Sequence, residues 1–162
     1  MVKREVARQA TFEAGGALAL RVALGGLLVF SGLTKLPAHT AFVSTVVRYN
    51  IIPAPLATAY ATVLPWAELI VGAYLVLGIL TRASAIVAVL MAITYVVANV
   101  SSIIQGESRC ASCFGQATSL PIGLSLAIDF LIVGVGLYLF LRGSRMFTLA
   151  EWLAPGTEHR HQ

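Results

Sequence analysis

Four apolar runs of roughly membrane-crossing length limit what this chain can fold into. They are Ala17 to Leu33, Leu56 to Leu80, Ser84 to Ile104, and a stretch that opens at Pro121 and ends near Leu141. A bilayer-spanning helix needs about 20 mostly apolar residues. The rest of the chain is too sparsely charged to solvate a soluble domain. Charged residues make up 11% of the 162 positions, hydrophobic ones 58%, and the mean hydropathy is +0.86. Soluble domains carry about 25% charge. The sequence therefore predicts an all-α, polytopic membrane protein built as a four-transmembrane-helix bundle. Residues 17–141 form one membrane domain, between a cytoplasmic segment at 1–16 and a cytoplasmic tail at 142–162. The net charge of +4 sits at the ends of apolar runs, which fits membrane orientation and not nucleic-acid binding. A cleaved signal peptide is not expected. The first run exceeds a usual signal core, and no small-x-small cleavage site follows it.

Local features refine the spans. Arg21 lies near the inner end of the first run, where its side chain is expected to snorkel to the interface. Gly25, Gly26, Ser31 and Gly32 offer a surface that another helix can approach closely. Between the first two spans, Phe42, Val43, Val46 and Val47 share a helical face, predicting a short interfacial helix that Pro53 and Pro55 terminate. The second span contains Pro65, which removes a backbone donor, and Glu68. A central acid costs about 3 kcal/mol on the insertion scale, and the Leu, Ile and Val residues of this span return about −4 kcal/mol. The span is marginal alone and inserts with its neighbours. Pro121 suits the first turn of the fourth helix, and Trp152 in the tail suits an interfacial anchor.

Basic residues set the orientation. Lys3, Arg4, Arg8, Arg82, Arg142, Arg145 and Arg160 fall on one side, and Lys35, Arg48 and Arg109 on the other. This bias places both termini in the cytoplasm of a cell-membrane protein. The loop from Gln105 to Ser119 then faces outward, where disulfides persist.

That loop holds the chain's two cysteines, Cys110 and Cys113, spaced C-x-x-C. No histidine is near in sequence, so a metal centre is not expected. A structural disulfide across so short a loop restrains the unfolded chain by only about 2 kcal/mol. The spacing suits redox work, and Arg109 beside Cys110 favours the thiolate. Lys35, Glu68 and Asp129 sit within or beside the outer half of the membrane. Lys35 ends an outgoing helix and Glu68 lies a turn past Pro65 on an incoming one, so an ion pair between them is expected. Asp129 should lie about 12 Å deep at 1.5 Å per residue. Intramembrane ionisable groups point to a proton path or the head-group site of a quinone beneath the cysteines. Tyr49, Tyr60, Trp66 and Tyr95 read as belt or packing aromatics, His39 as an interfacial surface residue, and His159 and His161 as inert.

Several of these residues fall into a recognisable order: Arg21-x-x-x-Gly25, Phe30-Ser31-Gly32-Leu33-x-Lys35, Phe42 with Tyr49-x-x-x-Pro53, Leu64-Pro65-x-x-Glu68-x-x-x-Gly72, Leu75-x-x-Gly78 with Arg82, and Cys113-Phe114-Gly115. Over roughly residues 17–141 the chain resembles the MauE/DoxX-like integral membrane family, and its MauE branch most. The MauE pattern at the cysteines is C-x-C-F-G, and this chain departs from it with C-x-x-C-F-G. The resemblance implies a four-helix membrane bundle that helps mature a periplasmic, disulfide-rich dehydrogenase subunit of methylamine utilisation alongside a thioredoxin-like partner. DoxX-type relatives imply a link to quinones. Carried over residue by residue, it implies Cys110 and Cys113 as the thiol pair and Lys35 and Glu68 as the membrane charges.

Three functions follow as expectations. The first is a thiol–disulfide oxidoreductase that exchanges with an extracytoplasmic thioredoxin-like protein and passes electrons to or from a quinone, since no second cysteine pair lies on the inner side. The second is a non-enzymatic assembly or anchoring subunit with a structural disulfide. The third is a small transporter, suggested by Glu68, Asp129 and the proline-broken span.

Overall fold

A computed structural model describes residues 2–106, 109–110 and 120–142, with side chains over 15–106 and 120–141. Its helices are α1 (Val2–Lys35), α2 (His39–Arg48), α3 (Ala54–Leu77), α4 (Thr81–Ile104) and α5 (Ile122–Arg142). Two short strands, β1 (Arg109–Cys110) and β2 (Leu120–Pro121), pair antiparallel between α4 and α5, with Cys110 opposite Leu120. Among the described residues, four stretches are long and apolar enough to cross a membrane: Gly15–Lys35, Ala54–Leu77, Thr81–Ile104 and Ile122–Leu141. The four-span, all-α architecture and the short helix between spans one and two are as the sequence predicts. The protein is a multi-pass membrane protein.

Large apolar side chains such as Phe30, Trp66, Leu90 and Phe130 point outward, as lipid contact requires. Small and polar residues turn inward. The bundle is assembled from two close pairs, α1 with α3 and α4 with α5. In the first pair, Gly25 and Gly72 bring backbones into contact. A Cβ on Gly25 would lie 2.7 Å from the Gly72 carbonyl oxygen, and one on Gly72 would lie 2.6 Å from that of Gly25. Gly32 meets the Pro65 carbonyl in the same way. Gly26, expected on this surface, has nothing near it, and Ser31 serves a different purpose described below.

Three local expectations are corrected. Pro53 and Pro55 do not end α2, which stops at Arg48; Pro53 is the N-cap of α3 and Pro55 sits in its first turn. There the missing proline N–H has no intrahelical partner to lose. Pro121 is not in the first turn of the fourth helix; it lies in β2, immediately before α5. Residues 2–14 continue α1 without a break. The helix α2 is amphipathic as predicted, with Phe42 buried and Val43 and Val46 against the core. Pro65 lies inside α3, so the Ala61 carbonyl has no intrahelical donor.

Candidate functional site

The end of the bundle that carries α2 and the β1–β2 pair also holds a buried ion pair. Lys35 is the last residue of α1, and its ammonium turns back into the bundle. Nζ donates to both Glu68 carboxylate oxygens, at 2.7 and 2.9 Å, to Ser31 Oγ at 2.8 Å and to Tyr95 OH at 2.6 Å. Ser31 Oγ donates to Glu68 Oε1 at 3.1 Å, and the Tyr95 hydroxyl also donates to Glu68. Lys35 and Glu68 are wholly buried. The ammonium further lies 4.5 Å from the centre of the Tyr95 ring and 5.5 Å from that of Phe42, within cation–π range. The predicted Lys35–Glu68 pair is therefore present. Taking two charges out of water costs several kcal/mol each, and only such full hydrogen bonding repays it.

Asp129 projects from the second turn of α5, about 10 Å along the helix from Ile122 at 1.5 Å per residue. It does not join the ion pair directly. Asn99 Nδ2, from α4, donates to Asp129 Oδ2 at 2.8 Å and to Ser125 Oγ at 3.0 Å. All three side chains are buried. A small cavity of about 20 Å³ separates this cluster from the first, lined by Ser31, Glu68, Tyr95, Ser125 and Asp129 among others. A larger cavity of about 340 Å³ lies between α2, α3 and α4, lined mainly by apolar groups, with Tyr60, Thr94 and Tyr95 contributing polar edges. Tyr60 OH and Thr94 Oγ1 are 2.6 Å apart in it.

The cysteines divide. Cys110 lies in β1, whose pairing with Leu120 ties its backbone to the start of α5. That places Cys110 at the same end of the bundle as Lys35. Cys113 lies outside the described residues, as do Arg145, Trp152, His159 and His161.

Sequence reasoning missed four members of the site. Tyr95, read as a belt or packing aromatic, is buried in the core, and its hydroxyl bonds both charges. Ser31, Asn99 and Ser125 are the others. Ser31 precedes Lys35 by one helical turn, the i to i+4 spacing that stacks side chains on one face. Asn99 sits at i+4 from Tyr95 and Ser125 at i−4 from Asp129, so the signal was there for three of the four.

One prediction about charge fails at the opposite end. Arg21 does not snorkel; it is 1% exposed. Its guanidinium packs on Gly78, the left-handed residue (φ 76°) that closes α3, where a Cβ would come within 2.7 Å of Nη2. Nε and Nη2 have no hydrogen-bond partner among the described residues. The turn between α3 and α4 covers the guanidinium, which accounts for its burial.

Comparison with known proteins decides the family. The family described as Methylamine utilisation protein MauE matches residues 14–142. The chain belongs to the MauE family. The match covers all four spans, both charged clusters and the cysteine loop. No curated protein and no solved structure matches the chain.

Proposed function

We propose that this MauE-family protein is a membrane thiol–disulfide oxidoreductase. Cys110 and Cys113 exchange with a thioredoxin-like protein on the extracytoplasmic side, in the maturation of disulfide-containing periplasmic proteins. Both termini lie in the cytoplasm, in keeping with the bias of Lys and Arg. The observation that carries this reading is the placement of Cys110 at the end of the bundle that buries Lys35, Glu68 and Asp129. Interconverting a dithiol and a disulfide moves two electrons and two protons. Ionisable side chains beneath the sulfurs serve the protons.

The electrons need a carrier, because the inner side of the bundle has no cysteine pair. A quinone supplies a two-electron, two-proton couple soluble in lipid. The cavity between α2, α3 and α4 fits one: its walls are apolar and its volume of about 340 Å³ falls in the range of small-molecule sites. Phe42, Val46 and Tyr49 would hold the ring, with Tyr60, Thr94 and Tyr95 at the polar edge of the cavity. Tyr95 links that cavity to Lys35 and Glu68.

A Cys113→Ala variant, leaving Cys110 to attack, is expected to trap a mixed disulfide with a thioredoxin-like protein. The reciprocal Cys110→Ala variant tests the other order of attack. The redox state of the pair in purified protein should change when quinone is added. If neither variant captures a partner and a double Cys→Ser variant sustains full activity in the cell, the loop is structural and the protein is an assembly subunit.

A further inference from the structure

The two buried clusters do not carry equal charge. Glu68 is matched: its carboxylate faces the Lys35 ammonium, and the Ser31 and Tyr95 hydroxyls donate to it. Asp129 is not. Its hydrogen-bonding neighbour is the neutral Asn99 amide, and among the described residues no cation lies within ion-pair distance of it. The groups that face the space between the clusters from the four spans are Ser31 on α1, Glu68 on α3, Tyr95 on α4, and Ser125 and Asp129 on α5. With Lys35 and Glu68 ionised, an ionised Asp129 would leave the core one negative charge in excess. A lone buried carboxylate is so costly that it takes up a proton instead. A proton on Asp129 then needs an acceptor. The cavity of about 20 Å³ beside it has room for about one water, which needs about 10–15 Å³; Ser31, Glu68, Tyr95, Ser125 and Asp129 line it among apolar side chains such as Leu28 and Ile128.

We propose that Lys35, Glu68 and Asp129 form one proton-holding centre, in which Asp129 carries the proton and a single water in the intervening cavity hydrogen-bonds it to Glu68. Protonated Asp129 donates to the water, and the water donates to Glu68. Asn99 is a positioning residue that fixes the Asp129 carboxyl. Transfer through the water moves the proton to Glu68 and the negative charge to Asp129, with no change in total charge. The centre stands on geometry and charge balance alone. Its use by the sulfur pair rests on the function proposed above.

The sequence offers a clean test, because Asp129 is the chain's sole aspartate. Wild-type protein in lipid nanodiscs, labelled with carbon-13 at the aspartate side-chain carboxyl, tags this one group for infrared spectroscopy. The expected result is a C=O stretch of an un-ionised carboxylic acid that shifts with the aspartate label and does not move with labelled glutamate. An aspartate label that shifts only ionised-carboxylate bands overturns the proposal. Variants then test the sharing. Lys35→Met should add a second acid band, which moves with the glutamate label. Glu68→Gln should convert the aspartate acid band into a carboxylate band, as Asp129 becomes the partner of Lys35. An Asp129 that stays protonated in Glu68→Gln shows two independent clusters and sinks the shared centre. The wild-type measurement decides the main point even if a variant fails to fold. None of these readouts depends on thiol chemistry, so failure here and failure of the redox reading are separate results.

Discussion

Helix α1 buries two cations, and it treats them in opposite ways. Lys35 and Arg21 lie 14 residues apart, about 21 Å along the axis at 1.5 Å per residue. Neither is more than 1% exposed. Lys35 is surrounded by oxygens from three helices and two aromatic rings. Arg21 meets a glycine turn, and two of its nitrogens have no partner among the described residues. What surrounds it instead is the carboxyl-terminal end of α3, where the peptide dipoles carry partial negative charge. One cation is held by specific partners, the other by the space that Gly78 leaves and the field of a helix end. The difference teaches where chemistry is to be sought. Directed hydrogen bonds converge at the cysteine end of the bundle, and shape governs the other.

The largest effect that would break this contrast belongs to Glu68→Ala. It strands the Lys35 ammonium, and removing one member of a buried pair costs about 3–5 kcal/mol. Thermal unfolding in detergent should show the loss, and Lys35→Met/Glu68→Leu should recover much of it. Additive losses in the double variant would mean that the pair does not act as a unit. Next comes Gly78→Ala. The new methyl group meets the guanidinium in a left-handed backbone, with an expected cost of about 1–3 kcal/mol. Arg21→Met on that background should relieve the contact but not the backbone strain. Tyr95→Phe should cost about 1.5–3 kcal/mol, the range for a hydrogen bond to a charged group, and should leave the family of helices intact by circular dichroism. Smallest of all is Arg21→Met, which removes two nitrogens without a partner among the described residues and should fall within about 1 kcal/mol of the wild type. A loss comparable to that of Glu68→Ala would show that Arg21 has a partner equal to that of Lys35.

Charges inside apolar runs are easy to read, because each costs enough to need a reason. That is why Lys35, Glu68 and Asp129 stood out in the sequence, and why helix direction and depth sufficed to pair the first two. Their neutral partners were harder. Ser31, Tyr95, Asn99 and Ser125 are common in membrane helices, and only the rotation of each helix decides whether they face lipid or the core. Asp129 was legible as a buried acid, but its separation from the ion pair depends on how α5 leans against α4. Arg21 misled because a long basic side chain six residues inside a span normally reaches water. Its burial depends on how the α3–α4 turn covers it, which no local pattern encodes. Pro53 and Pro55 were read as a stop when they begin the next helix, an ambiguity proline always carries at a helix boundary.

The backbone contacts of Gly25 with Gly72 and of Gly32 with Pro65 have a mechanical consequence. Carbonyl oxygens nested where side chains would otherwise stand prevent α1 from sliding along α3, and two such contacts at different heights prevent it from rotating. These two helices therefore move as one rigid body, carrying Lys35 and Glu68 with them. For the proton-holding centre proposed above, the breathing that admits or releases a proton is then expected from α4 and α5 rocking against that body, along the seam where the small cavity lies.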